Sequence, residues 1–229
     1  MRLSIAALPF LFVTVAAHPE RDPTDVIATV LGEVITVADA TEIGIDSLIN
    51  GALLTQFAKD NGIEATEEEL TAFTDWLAAN ARESLTEFEA QRVELLAALE
   101  AADDASRARI QGRLDTVVSL IEARSEPPPD PALTRPIAKR WVENWKIQKA
   151  LFDKYGGRAH YQQAGVQPFD AVIEFLQEQE AKGAFTILDD SYEDEFWTYW
   201  RSDGHDFIPE EKAAELLATP MWLKTGAND

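Results

Sequence analysis

Cysteine is missing altogether from the 229 residues, and methionine occurs only twice. Without a thiol there can be no disulfide, no thiolate nucleophile and no cysteine-held metal, so packing alone must hold the fold. Cations are scarce too: 20 Lys and Arg stand against 41 Asp and Glu, a net charge of -21. A chain charged in this way repels nucleic acid and anionic lipid, which excludes both as natural partners. The same charge resists self-association, which serves general solubility and equally serves a protein that leaves apolar surface open. Long apolar runs are absent after the N-terminus, so no membrane span is expected in the mature chain.

What is present begins with a leader. Arg2, the apolar run "LSIAALPFLFV" and small residues at Val15 and Ala17 make residues 1–17 a signal peptide cut near Ala17, just before His18. The run is shorter than the roughly 20 residues a span requires, and the alternative is an uncleaved anchor. A periplasmic or otherwise exported protein is expected.

Alternation in "VIATV" before Gly32 predicts a short strand and turn. Thr36 with Asp39, and Thr66 with Glu69, have the spacing of capping boxes. Between them Leu48, Ala52, Leu53 and Phe57 recur at helical spacing, and Asn61-Gly62 supplies a left-handed stop. Leu85, Phe88, Leu95 and Leu99, then Ile110, Leu114, Val117 and Ile121, form two matched stripes around the polar "EAADD", as an antiparallel helical hairpin would. "SEPPPDPALTRP" predicts a stiff proline-rich linker at 127–136. Beyond it lie a helix with Ile137, Trp141, Trp145 or Val142, Ile147 and Leu151, a stop at Gly156-Gly157, and three further helices around the extended "AFTI". The expected fold class is all-α with one or two short strands: a helical lobe with a hairpin over 25–126, and a C-terminal helical region over 137–229 packing back on it.

Few residues invite chemistry. His160 follows a helix stop and reads as packing. His205 lies between Asp203 and Asp206, but neither the His-x-x-x-His spacing nor a calcium-loop order is present. Asp189, Asp190, Glu193, Asp194 and Glu195 could pair as catalytic carboxylates, yet they equally suit the first turn of the helix they open. Phe196, Trp197, Tyr199, Trp200 and Phe207 crowd one short span, as core or as the floor of a groove. No catalytic set, metal site or cofactor is expected.

"VIATVLGEVITVADA" followed by "LINGALLTQFAKDNGIEATEEELTAF" resembles the N-terminal region of the periplasmic SurA-like chaperones, over about residues 25–75. Gly32, Glu33, Ile35 and Thr36 carry the first block. Leu48, Ile49, Leu53, Leu54, Ala58, Gly62, Ile63, Thr66, Glu68, Glu69 and Leu70 carry the second. Leu31 stands where that family usually has Asn. Many such chaperones insert a parvulin-type prolyl isomerase domain; here the hairpin and the prolines take its place. The resemblance implies an ATP-independent chaperone that binds unfolded or nascent exported polypeptides in a cleft between helical lobes, with Leu53, Phe57, Phe73, Trp76, Trp141 and Trp145 as candidate peptide-binding residues. A divergent peptidyl-prolyl isomerase and a non-catalytic adaptor for one partner protein are the alternatives.

Overall fold

Residues 21–125, 131–162 and 165–224 are described by the structure, a computed structural model. The expected leader, and residues 127–130 of the expected linker, lie outside them. In chain order the elements are β1 (Val26–Val30), β2 (Glu33–Thr36), α1 (Val37–Ile43), α2 (Ile45–Asp60), α3 (Glu67–Ala101), α4 (Asp104–Ser125) and α5 (Pro131–Tyr155). They continue as β3 (Ala159–Gln162), β4 (Gly165–Gln167), α6 (Phe169–Ala181), β5 (Phe185–Ile187), α7 (Asp190–Arg201), β6 (Phe207–Ile208), α8 (Glu210–Ala218) and a 3-10 turn (Met221–Leu223). The protein is mainly helical. Where the sequence suggests one or two strands, six short ones among the described residues form two antiparallel sheets, ordered β2-β1-β5 and β4-β3-β6. Most have four residues or fewer, too short for alternation to register.

Local signals set the N-terminal elements. The β1–β2 register slips between Val26 and Ala28, so Ile27 and Ala28 are both buried while Val26 is exposed. Simple alternation of Val26, Ala28 and Val30 therefore fails at its first residue. The turn itself puts Leu31 at φ 52 and Gly32 at φ 87, left-handed values that glycine accepts freely and leucine does not. Both capping boxes form: Asp39 N–H donates to Thr36 Oγ1 over 3.3 Å, and Glu69 N–H to Thr66 Oγ1 over 3.2 Å. Helix α2 ends in a Schellman motif, Ile63 N–H donating to Ala58 O at 2.8 Å and Gly62 N–H to Lys59 O at 3.3 Å, with Gly62 at φ 60.

Helix α3 does not pause where the hairpin stripe begins. Its 35 residues contain neither Gly nor Pro, so the segment capped by Thr66 runs unbroken into the hairpin, about 52 Å at 1.5 Å per residue. Its far half packs on α4 through Leu95, Leu114, Val117 and Ile121. The expected linker is also revised. Residues 131–136 are the first turns of α5, with Pro131 in the first helical position, where a missing N–H is harmless. Pro136 forfeits a single backbone bond, close to the helix start.

The principal core is shared by both ends of the chain. Ile27 and Val30 of β1, Ile49 and Leu53 of α2, Leu151 of α5, Phe169, Val172 and Phe175 of α6, Phe185 of β5 and Phe196 of α7 are buried together. Because β1 is the central strand of its sheet, the N- and C-terminal regions are one folded body here, where the sequence suggested one lobe packing back on another. A second cluster joins Leu70 and Phe73 of α3 to Ala138 and Val142 of α5 and to Trp222. Helix α5 bridges the two.

Candidate functional site

Helix α5 presents Trp141, Asn144, Trp145 and Gln148 at steps of three and four, which places tryptophans and carboxamides along one stripe. Two adjoining clefts lie against that stripe. They share Asn144, Gln148, Gly165 and Val166 as a common wall.

The larger cleft, about 320 Å³, is walled by polar groups. Helix α2 contributes Asp46 and Asn50, one turn apart; the β3–β4 hairpin contributes Gln162 and Gln167; α7 contributes Tyr199 and Trp200. Five carboxamides therefore line it, with Asp46 as the one acidic side chain. Gln162 Nε2 donates to the Tyr199 hydroxyl at 2.6 Å, and Gln167 Oε1 lies 2.7 Å from His160 Nε2. His160 is only 4% exposed and rests edge-on to Phe169, with ring centroids 5.2 Å apart. Burial holds it below the usual histidine range, the nearby His205 adds to that, and its bond with Gln167 opposes both. Burial also raises the Tyr199 hydroxyl above the usual tyrosine range; the bond from Gln162 works against this and the Asp46 carboxylate adds to it. Tyr199 is thus protonated and able to donate. Asn50 Oδ1, Gln148 Oε1 and Trp200 Nε1 are shielded atoms of cleft residues with no hydrogen-bond partner among the described residues.

The smaller cleft, about 160 Å³, is walled by Trp141 and Trp145 of α5, Leu216 and Leu217 of α8, and Met221 and Trp222 of the 3-10 turn. Tyr161, 66% exposed, and Lys224 stand at its side. Trp145 and Trp222 meet edge to face, and Trp222 in turn meets Phe73 edge-on at 5.3 Å.

The six residues singled out for peptide binding divide between two clusters. Trp141 and Trp145 line the apolar cleft; Phe73 and Trp76 pack behind them, Phe73 stacked against Trp141 at 6.2 Å. Leu53 is 2% exposed in the principal core, and Phe57 packs edge-on to Phe175 there, so neither belongs to the groove. Helical spacing put all of them on apolar faces but cannot say which faces the fold consumes. The carboxamides were overlooked, although "RWVENWKIQ" carries the interleaved stripe in plain sight.

Elsewhere, polar clusters fulfil structural roles. Asp189 caps α7 by accepting from Ser191 N–H at 3.0 Å, and it also pairs with Arg21. Asp203 lies 4.0 Å from Arg158. Arg158 grips Asp170 through Nε and Nη2, each at 3.0 Å, and covers the Phe207 ring at 4.0 Å. Among the described residues no group of three or more His, Asp or Glu is gathered to hold a metal ion, and no helix is long and apolar enough to cross a membrane. No Ser, Thr or Cys lines either cleft. The chemistry available is hydrogen bonding, apolar burial, one acidic side chain in the larger cleft and one lysine, Lys224, at the smaller. No family model, curated protein or solved structure matches the chain.

Proposed function

We propose that this is an ATP-independent, chaperone-like protein of the cell envelope that binds unfolded stretches of exported polypeptide along the α5 groove. The observation that carries the reading is the common wall of the two clefts, which sets an aromatic trough beside a carboxamide-lined one. A polypeptide in extended form offers one N–H and one C=O per residue, together with side chains of varied polarity. Carboxamides both donate and accept, so they match main-chain groups without demanding a sequence. Trp141, Trp145 and Met221 offer burial to apolar side chains, and methionine adapts its shape to differing partners. The net charge of -21 keeps a complex with an apolar client dispersed. The leader-like N-terminus and the local likeness of residues 25–75 to SurA-like chaperones support the same reading.

The test is suppression of aggregation. The mature chain, at stoichiometric excess, is expected to reduce light scattering from a diluted unfolded outer-membrane protein and to raise the anisotropy of a labelled fragment of it. Trp145→Ala, checked by circular dichroism for retained helix, is expected to weaken both by about tenfold, the loss of one buried aromatic anchor. Absence of scattering suppression and of anisotropy change for the unaltered chain would overturn the reading.

A further inference from the structure

The polar cleft has a chemical bias that the peptide-binding reading alone does not require. Its charged lining is one carboxylate, Asp46, which has no ion-pair partner among the described residues. One turn further along α2, Asn50 carries a carboxamide oxygen without a partner, and across the cleft on α5 Gln148 carries another. Both oxygens are shielded from solvent. However, the terminal torsion of a carboxamide is broad, so an incoming donor can draw each oxygen round at small cost. The cleft is thus lined by one acidic side chain and by two carboxamides whose oxygens have no hydrogen-bond partner among the described residues.

From this arrangement we infer that the polar cleft receives a primary ammonium group, supplied by a lysine side chain of the polypeptide bound in the groove. An ammonium is a compact cation with three donors and no acceptor, which matches one carboxylate and two amide oxygens. The site fits other charged groups poorly. A divalent cation seeks six or more oxygens with several carboxylates, and among the described residues no such cluster exists. A carboxylate or phosphate would meet Asp46 and a field set by a net charge of -21. The aromatic trough next door would hold an apolar residue of the same segment, so the groove would favour clients in which lysine lies close to a large apolar side chain. The acidic surface would draw such clients in, and more weakly as salt is raised.

This inference rests on the peptide-binding reading, and the experiment separates the two. Three labelled peptides are compared by anisotropy with the mature chain: an apolar-aromatic segment bearing lysine, the same segment with norleucine, and the same with glutamate. The lysine peptide is expected to bind about fivefold more tightly than the norleucine peptide at low salt, the glutamate peptide more weakly still, and Asp46→Asn should bring the lysine-to-norleucine ratio to about one. Binding of the lysine and norleucine peptides with equal affinity, or a preference that survives Asp46→Asn, overturns the ammonium site and leaves the peptide reading standing. Butylammonium alone is the second arm, read by the shift of the Trp200 indole N–H in nuclear magnetic resonance. A saturable shift abolished by Asp46→Asn, with no peptide bound, supports a site for free amines and overturns the lysine source and the peptide reading. No shift and no peptide binding overturns both.

Discussion

Trp222 lies edge-on to Trp145, with ring centroids 5.7 Å apart and planes at 77°. The contact pins the C-terminal 3-10 turn to the middle of α5 and closes one side of the apolar cleft. Trp222→Ala is expected to lower stability by about 3–5 kcal/mol, the usual loss for a buried tryptophan. Trp222→Phe, which keeps most of the contact, should lose far less. Urea unfolding of the two variants makes the comparison.

Leu31 is the one residue other than glycine with positive φ among those described. Its φ of 52 is a left-handed value that disfavours a side chain branching off a β-carbon by about 1–2 kcal/mol. Asn, which tolerates that region, should relieve part of the strain. Leu31→Asn is expected to raise the unfolding midpoint, with a gain of about 1 kcal/mol. A fall on this substitution would mean that the Leu31 side chain, 43% exposed, contributes more by packing than its backbone loses.

Gly157 has φ +89, and a β-carbon there would stand 2.5 Å from Cβ of Asp170. That proximity is what lets the Arg158 N–H reach Asp170 Oδ2 at 2.7 Å and the guanidinium fold over the same carboxylate. Gly157→Ala is therefore expected to destabilise by about 2 kcal/mol or more, combining strain with a displaced contact. Gly112, exposed in α4 with open space around it, is the control: Ala there should be neutral or mildly stabilising.

Helix α4 packs principally on α3, away from both clefts. Replacing residues 85–121 by a short Gly-Ser loop is expected to leave the thermal midpoint of the remaining body within a few degrees and to preserve peptide binding. Loss of one stoichiometric partner on this deletion, with peptide binding intact, would identify the hairpin as the adaptor surface.

Glu178 of α6 is held down to about 2 by Lys182, Tyr155 and Lys154, which tie it to its own helix and to the end of α5. Its folded value lies below the ordinary 4.5, so its contribution to stability is complete above that pH and fades as pH falls toward 2. The stability difference between the unaltered protein and Glu178→Gln should shrink over that interval. His160 acts in the same direction at higher pH. Being depressed by burial, it takes up a proton less readily folded than unfolded, so stability is expected to fall as pH drops below the usual histidine value. His160→Gln should flatten that part of the curve.

Where sequence spoke clearly, the signal was local and chemical. Thr36 with Asp39, Thr66 with Glu69, and Asn61-Gly62 specify caps and stops through neighbours three or four residues away, and each forms. The hairpin stripes were legible for the same reason. Long-range partners were not. Nothing within "VIATV" states that β1 will accept "FTI" on its free edge, and nothing in α2 tells whether Leu53 or Asn50 will face a cleft. Prolines misled in the opposite way: their general hostility to helices hid the tolerance of the first turns of α5. The groove stayed hidden because its walls come from α2, α5, β3–β4, α7, α8 and the final turn, and only α5 contributes a recognisable stripe.

The pairing of Val30 with Phe185 imposes an order of assembly. During synthesis the first strand meets β2 and α2 early, but its other edge has no partner until β5 follows, and the cover from α6 and α7 comes later still than that from α2. The principal core therefore closes only once α6, β5 and α7 have emerged. The first strand thus stays half-clothed until the last third of the chain has been made.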